Sequence, residues 1–237
     1  MSEWVTSIEG TEAGHTAAMM LALLAAFLHA VFGSLQKGRI DPWISRGAID
    51  TAQVVTALPI ALFLVPWPVG HEWLLILGAL PIHFVYKLGM ALAYSRGAFT
   101  VVYPVVRGMG PVFTVFGAWI VFGETFTAVQ WLGVLVLLSG IFGLALYNLR
   151  TIEVARDTLV PALWLAAGTG GLVALYTTYD AYAIRAIPDP FTFLAWFFML
   201  TSWDFPLIAA LRGKWRKPEP HLIRLGLFGG IIAFGSF

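Results

Sequence analysis

Apolar runs of about 20 residues, the length that crosses a ~30 Å hydrocarbon core, recur along the whole chain and are separated only by short loops. They fall at Ala17–Gln36, Ala52–Val69, Trp73–Ser95, Ala98–Phe122, Ala128–Tyr147, Leu159–Ile184 and Phe191–Leu211, and another begins near Leu222 and is still apolar at Phe237. Hydrocarbon offers no water to backbone N–H and C=O groups, so such runs must close their hydrogen bonds internally, as helices. Short loops force neighbouring helices antiparallel. The expected fold is all-α, a polytopic membrane helical bundle with about eight helices. Only 11% of residues are charged and 59% are hydrophobic, whereas a soluble domain carries about 25% charged residues. The chain has no cysteine, which excludes disulfides, Cys-ligated zinc and iron–sulfur clusters. Its N-terminal tail holds Glu3, Glu9 and Glu12 but no Lys or Arg, the wrong start for a cleaved signal peptide. A net charge of +1 gives no reason to expect nucleic acid as a partner; the lipid bilayer is the expected one.

Lys and Arg set orientation. Eleven of them lie in the loops after the first, third, fifth and seventh runs, against Arg185 alone in the N-terminal tail and the remaining loops. That places the basic loops in the cytoplasm and the N-terminus outside, in a multi-pass protein of the cell's inner (plasma) membrane. Sliding the chain along itself by 147 residues puts His29 on Tyr176, Gly33 on Asp180 and Pro59 on Pro206. A further slip of four aligns Gly78–Tyr86 with Gly229–Phe237. Residues 1–148 therefore read as one five-helix unit and 149–237 as its C-terminally incomplete copy. An odd number of helices per unit inverts the second copy, the sequence mark of secondary transporters with a site near the midplane.

One run carries a conflict. Ala98–Glu124 has Arg107 near its middle, with Pro104 and Pro111 flanking Gly108-Met109-Gly110. An arginine at that depth costs roughly 2.5–3.5 kcal/mol on insertion scales. Proline and glycine together are expected to weaken the helix over Tyr103–Pro111, and broken backbone at that depth is tolerated only inside protein or beside a water-filled cavity. The structural alternative is a kinked packing helix whose arginine is tied to one buried acid.

Within and around this run the chain resembles the EamA branch of the drug/metabolite transporter superfamily. The likeness rests on Tyr94-Ser95-Arg96-Gly97, Val102-Tyr103-Pro104-Val105-Val106-Arg107-Gly108, Gly110-Pro111, Phe122-Gly123-Glu124, Gln130-Trp131-Leu132-Gly133 and Gly140-Ile141-Phe142-Gly143. It is close over Gly78–Tyr147 and loose elsewhere. It implies ten helices in two inverted five-helix repeats around a central cavity, and export or uptake of small metabolites. On that pattern about 60 residues of the second repeat are missing, and both termini would be cytoplasmic, against the charge count.

Lys87, Arg107, Asp180 and Asp204 are the ionisable residues inside the runs. Counting 1.5 Å per residue puts Lys87, Arg107 and Asp204 at one depth, roughly 4–5 Å from the midplane. Asp204 is then the expected counter-ion of Lys87 or Arg107. Asp180 counts nearer a surface end and reads as a gate or an interfacial residue. Two bases against one acid leave a surplus positive charge, with Arg107 suited to a carboxylate or phosphate. Tyr103, Tyr94 and Tyr176 share helical faces with these residues and offer hydroxyls and rings to a solute. His29, Gly33 and Gln36 share one face of the first run and are candidate lining residues. His83, one turn before Lys87, is a proton-coupling candidate. Glu124 is expected to cap the next helix. Gly133, Gly140 and Gly143 form a packing face or dimer seam, and Trp43, Trp67, Trp73, Trp131 and Trp215 read as interface anchors.

The expected function is a secondary transporter of small polar metabolites, such as amino acids or other carboxylate-bearing solutes, working by alternating access. A flippase for lipids or lipid-linked sugars shares the architecture. The sequence has no GxxxxGK[ST] loop for ATP, no HExxH and no GxSxG, so neither an enzyme nor a cofactor is expected; a homodimer fits the glycine face.

Overall fold

The computed structural model describes residues 7, 8, 10–35, 41–151, 156–212 and 220–235, and the regular elements among them are helical. In chain order they include α1 (Glu12–Leu35), α2 (Pro42–Phe63), α3 (His71–Arg96), α4 (Phe99–Phe122), α5 (Ala128–Thr151), α6 (Arg156–Ala186), α7 (Pro190–Thr201), α8 (Asp204–Leu211) and α9 (Pro220–Gly235). Among the described residues six stretches are long and apolar enough to span a bilayer: Glu12–Phe32, His71–Arg96, Thr100–Ile120, Ala128–Tyr147, Thr158–Ala186 and Pro190–Leu211. The chain is an all-helical, multi-pass membrane protein.

Local chemistry sets the helix ends. α2 starts at Pro42, not Ala52, because the Asp41 side chain accepts the Trp43 N–H at 2.9 Å and Pro42 takes the first turn. Asp189 and Pro190 open α7 in the same way, with the Phe191 N–H donating to Asp189 Oδ1 at 3.3 Å. Thr127 and Gln130 open α5 as a reciprocal box: the Thr127 N–H donates to Gln130 Oε1 at 2.7 Å, and the Gln130 N–H to Thr127 Oγ1 at 3.4 Å. Glu124, the expected cap, instead follows Gly123, whose left-handed φ of 65° ends α4.

Proline acts in two ways. The run Phe191–Leu211, expected as one helix, is interrupted at Ser202 and Trp203. Pro206 has no N–H for the Ser202 carbonyl, and its ring crowds that carbonyl. Pro104 and Pro111, by contrast, lie inside α4, which runs unbroken from Phe99 to Phe122. The expected weak point at Tyr103–Pro111 is therefore regular helix. Pro59 likewise sits inside continuous α2, whereas Pro206 lies in the first turn of α8.

By contact the chain forms two compact units, Met1–Leu80 with Ala183–Phe237, and Pro81–Tyr182. In the first, α2 is the hub: α7, α8 and α9 pack on it, and α9 also meets α1. Lipid tails give no hydrophobic drive to helix association, so close approach of small residues does that work. A Cβ on Gly230 of α9 would lie 2.6 Å from the Ala52 Cβ of α2, and one on Gly226 would lie 2.9 Å from the Ala48 carbonyl oxygen. Trp43, expected as an interface anchor, is instead buried. It stacks on Phe205 at 5.5 Å and lies under the Arg212 guanidinium at 4.1 Å.

The second unit is built from α4, α5 and the parts of α3 and α6 that lie within it. Tyr86, Met90 and Ala93 of α3 bury against Val102, Val105 and Val106 of α4, Ile141 of α5 and Ala162 and Ala166 of α6. Gly108 leaves room for the Ile141 side chain, and Gly110 for Val173. The Gly108-Met109-Gly110 step is thus a two-sided packing surface, which is why it need not break the helix. A Cβ added to Gly133, Gly140 or Gly143 of α5 would meet nothing within 4 Å among the described residues. Only 6% of that span is buried, so its apolar face suits lipid.

These distances separate two kinds of glycine. A Cβ on Gly170 of α6 would lie 2.5 Å from Met109 Cβ and 3.1 Å from the Val106 carbonyl oxygen. Gly170→Val is expected to destabilise the protein by roughly 1–3 kcal/mol through overpacking, while Gly133→Val stays within about 1 kcal/mol of the parent. Melting temperatures of the purified proteins in one detergent check this; equal shifts for the two variants would contradict the packing described.

Candidate functional site: a guanidinium among phenols

Helical periodicity pairs the polar residues of the second unit one turn apart: His83 with Lys87 on α3, Tyr103 with Arg107 on α4, and Tyr176 with Asp180 on α6. Packing of these three helices gathers them. Arg107 interacts electrostatically with Tyr86, Tyr94, Tyr103 and Tyr176. Its guanidinium carbon lies 5.7 Å from the centroid of the Tyr103 ring. The Tyr176 hydroxyl is in hydrogen-bonding reach of both the Arg107 guanidinium and the Tyr86 hydroxyl, and the Tyr86 and Tyr176 rings lie 4.7 Å apart. Among the described residues no carboxylate forms an ion pair with Arg107. The guanidinium is not tied to a lone acid.

Magnitudes explain how the charge is held without one. Placing arginine at membrane depth costs roughly 2.5–3.5 kcal/mol. A desolvated cation–π contact offsets about 0.5–2 kcal/mol, and a hydrogen bond to a charged group about 1.5–3 kcal/mol. One ring face and one phenol oxygen are together of the right size. Phenols solvate the cation and leave its charge in place.

Tyr176 also joins this group to a second one. Its ring lies 4.6 Å from the His83 ring. His83 Nε2 lies 2.8 Å from Asp180 Oδ2, and both side chains are buried. Asp180, which the depth count puts nearer a surface end as a gate or an interfacial residue, is buried within the protein, 3% exposed. It is buried where α6 meets His83 of α3. Its other oxygen, Oδ1, accepts no hydrogen bond from the described residues. Asp180, His83, Tyr176, Arg107 and Tyr103 thus form one polar strip through the unit.

Of the residues expected to bind a solute, the structure brings Arg107, Tyr94, Tyr103, Tyr176 and Asp180 into this region. Lys87 is buried in the same unit. Asp204 belongs to the first unit, at the start of α8, where its Oδ1 accepts the Phe205 N–H at 2.7 Å. Gln36 lies outside the described residues, as do the side chains of His29 and Gly33. Tyr86 went unnoticed in the sequence, although it adjoins Lys87 and follows His83 by three residues, a spacing that returns to the same helical side. A cavity of about 290 Å³ lies along α4 and α5, lined by Pro111, Val112, Val115, Phe126, Gln130, Gly133, Val134 and Leu137. It is apolar and includes none of the expected binding residues. Among the described residues no group of three or more His, Cys, Asp or Glu could hold a metal.

The first unit holds a separate polar group that hydropathy conceals. Arg46 and Asp50, which a hydropathy reading assigns to a loop, lie within α2 and pair at 2.7 Å, with Asp50 fully buried. One turn on, Gln53 Oε1 accepts the Ser202 hydroxyl at 3.1 Å beside the interruption between α7 and α8. The sequence signal was present in Asp41-Pro42 and in the four-residue spacing of Arg46 and Asp50. Comparison with family models, with curated proteins and with solved structures finds no match to this chain.

Ser202→Ala would leave the buried Gln53 oxygen without its donor. A loss of roughly 1–3 kcal/mol is expected, with much of it restored in Ser202→Ala/Gln53→Leu, which removes both polar partners. Thermal unfolding of the three proteins in detergent tests the pair, and additive losses would show that the two side chains do not act together.

Proposed function

We propose that this protein is a secondary carrier of small metabolites bearing a carboxylate, amino acids among them, and that Arg107 recognises the anionic group. The supporting observation is a buried guanidinium surrounded by four tyrosines and paired with no carboxylate among the described residues. Such a group keeps its full positive charge, and its planar fork matches a carboxylate in two-pronged fashion. Tyr103 and Tyr176 hold the guanidinium, and Tyr86 and Tyr94 add hydroxyls at the same place. Lys87 supplies a second buried cation in the same unit. The resemblance to EamA carriers points to the same class, with two related bundles exposing the site to one side of the membrane and then the other. A gradient of solute or ions would drive net movement. Interrupted helices are where transporters commonly gather polar groups, and the Ser202–Trp203 interruption with Gln53 beside it fits that pattern.

The test is binding, then flux. Thermal shift of the purified protein against amino acids, organic acids, nucleobases and sugar phosphates is expected to show stabilisation by carboxylates, because a ligand of the folded state raises apparent stability. Arg107→Lys keeps the charge but loses the fork, and is expected to cut flux in proteoliposomes at least tenfold while the melting temperature changes little. Flux and stability falling together would make Arg107 a folding residue. Stabilisation by lipid-linked phosphates alone would point to a flippase.

A further inference from the structure

The Asp180–His83 pair is left unused by anion recognition at Arg107, yet it has the features of a proton site. Both side chains are buried, their ring nitrogen and carboxylate oxygen lie 2.8 Å apart, and Asp180 Oδ1 accepts no hydrogen bond from the described residues. His83 is 97 residues from Asp180 in sequence, so the packing of α3 on α6 makes the pair. A pair needed only to hold two helices together has no use for an orphaned acceptor, which is destabilising when buried. Histidine is the side chain whose charge changes most readily near neutral pH.

The surroundings decide which way such a site couples. On α3 the pair has Tyr86 beside it and the buried Lys87 one turn on. On α6 it has Tyr176 against the His83 ring and Tyr179 next to Asp180. On α4 the charged group is Arg107, reached across Tyr176. Apart from Asp180 itself, the charged groups named here are cations. With neutral His83 and ionised Asp180 the pair carries one negative charge, and one added proton makes it neutral. That proton adds one positive charge to a region already holding Arg107 and Lys87. A carboxylate bound at Arg107 supplies the balancing negative charge.

We propose that His83 and Asp180 form a proton-binding site that is filled together with the anion site at Arg107, so that the protein carries one proton with each monocarboxylate. This rests on the carrier reading above. One proton from the aqueous side adds to the His83–Asp180 pair as one carboxylate binds, and both leave on the other side. The combined step moves no net charge for a monoanion. By linkage, each ligand must raise the affinity for the other by the same factor.

Anion binding is measured by intrinsic fluorescence on the full chain in detergent, with benzoate, lactate and L-glutamate as probes, from pH 5.5 to 8.5. Proton uptake is followed in parallel with a pH indicator in weakly buffered solution. For a bound probe, Kd is expected to rise about tenfold per pH unit above the pair's titration, the slope for one linked proton, with about one proton taken up per anion. His83→Asn, which keeps a hydrogen-bond donor but does not titrate, is expected to bind the probe with a flat pH profile and no proton uptake. If His83→Asn does not fold, Asp180→Asn with the same two readouts replaces it. Binding with a flat profile in the parent protein overturns the proton site and leaves the carrier reading standing. No binding of any probe at any pH overturns both. A sloping profile that persists in the folded His83 or Asp180 variant also overturns the assignment, because the proton would then be held elsewhere.

Discussion

A guanidinium does not deprotonate inside a membrane protein, so the fold must solvate Arg107 where water and acids are scarce. That requirement organises the second unit. α3, α4 and α6 each contribute phenols at the place where Arg107 projects, and the surrounding core of small and β-branched residues, Ala93, Val102, Val105, Val106, Ala162 and Ala166, lets the three helices approach closely enough to do so. Gly110 and Gly170 serve the same end, since a Cβ on either would press on the neighbouring helix. Ring faces and hydroxyl oxygens compensate the cost of the charge without cancelling it.

Backbone satisfaction is the second constraint, and proline shows how it is met. Pro104 and Pro111 each remove one helical hydrogen bond, but α4 continues because its neighbouring turns are intact and its glycines let α5 and α6 pack tightly on it. Pro206 has a different outcome: the chain turns at Ser202 and Trp203, and buried polar side chains collect there. The difference lies in the surroundings, since α7 and α8 both lean on α2, whose Gln53 can receive the Ser202 hydroxyl.

Much of this was legible in sequence, and the exceptions have physical causes. Hydropathy finds helices whose residues face lipid, so α1, α3, α4, α5 and α6 were placed to within a few residues over most of their length. It fails for α2, a hub helix whose first turns hold Arg46 and Asp50 and whose start is fixed by the Asp41 cap rather than by apolarity. It cannot see the break in Phe191–Leu211, because a run of apolar side chains says nothing about one missing N–H. That Arg107 gathers with Tyr94, Tyr103 and Tyr176 could be read from charge and spacing. The pairing of His83 with Asp180 could not, because a count along single helices does not say which helices pack together, and the two residues are 97 apart in sequence.

The choice of phenol over carboxylate as the partner of Arg107 has a mechanical consequence. A carboxylate would neutralise the guanidinium, and an incoming anion would then have to displace it and leave a second buried charge unpaired, a change that costs about 3–5 kcal/mol when a buried pair is broken. A phenol hydroxyl can rotate: it accepts from the guanidinium in one position and donates to a carboxylate oxygen in another. Tyr176 is in reach of both Arg107 and Tyr86. Asp180 is held on His83 instead, and Tyr176 lies between that pair and Arg107, touching the His83 ring on one side and the guanidinium on the other.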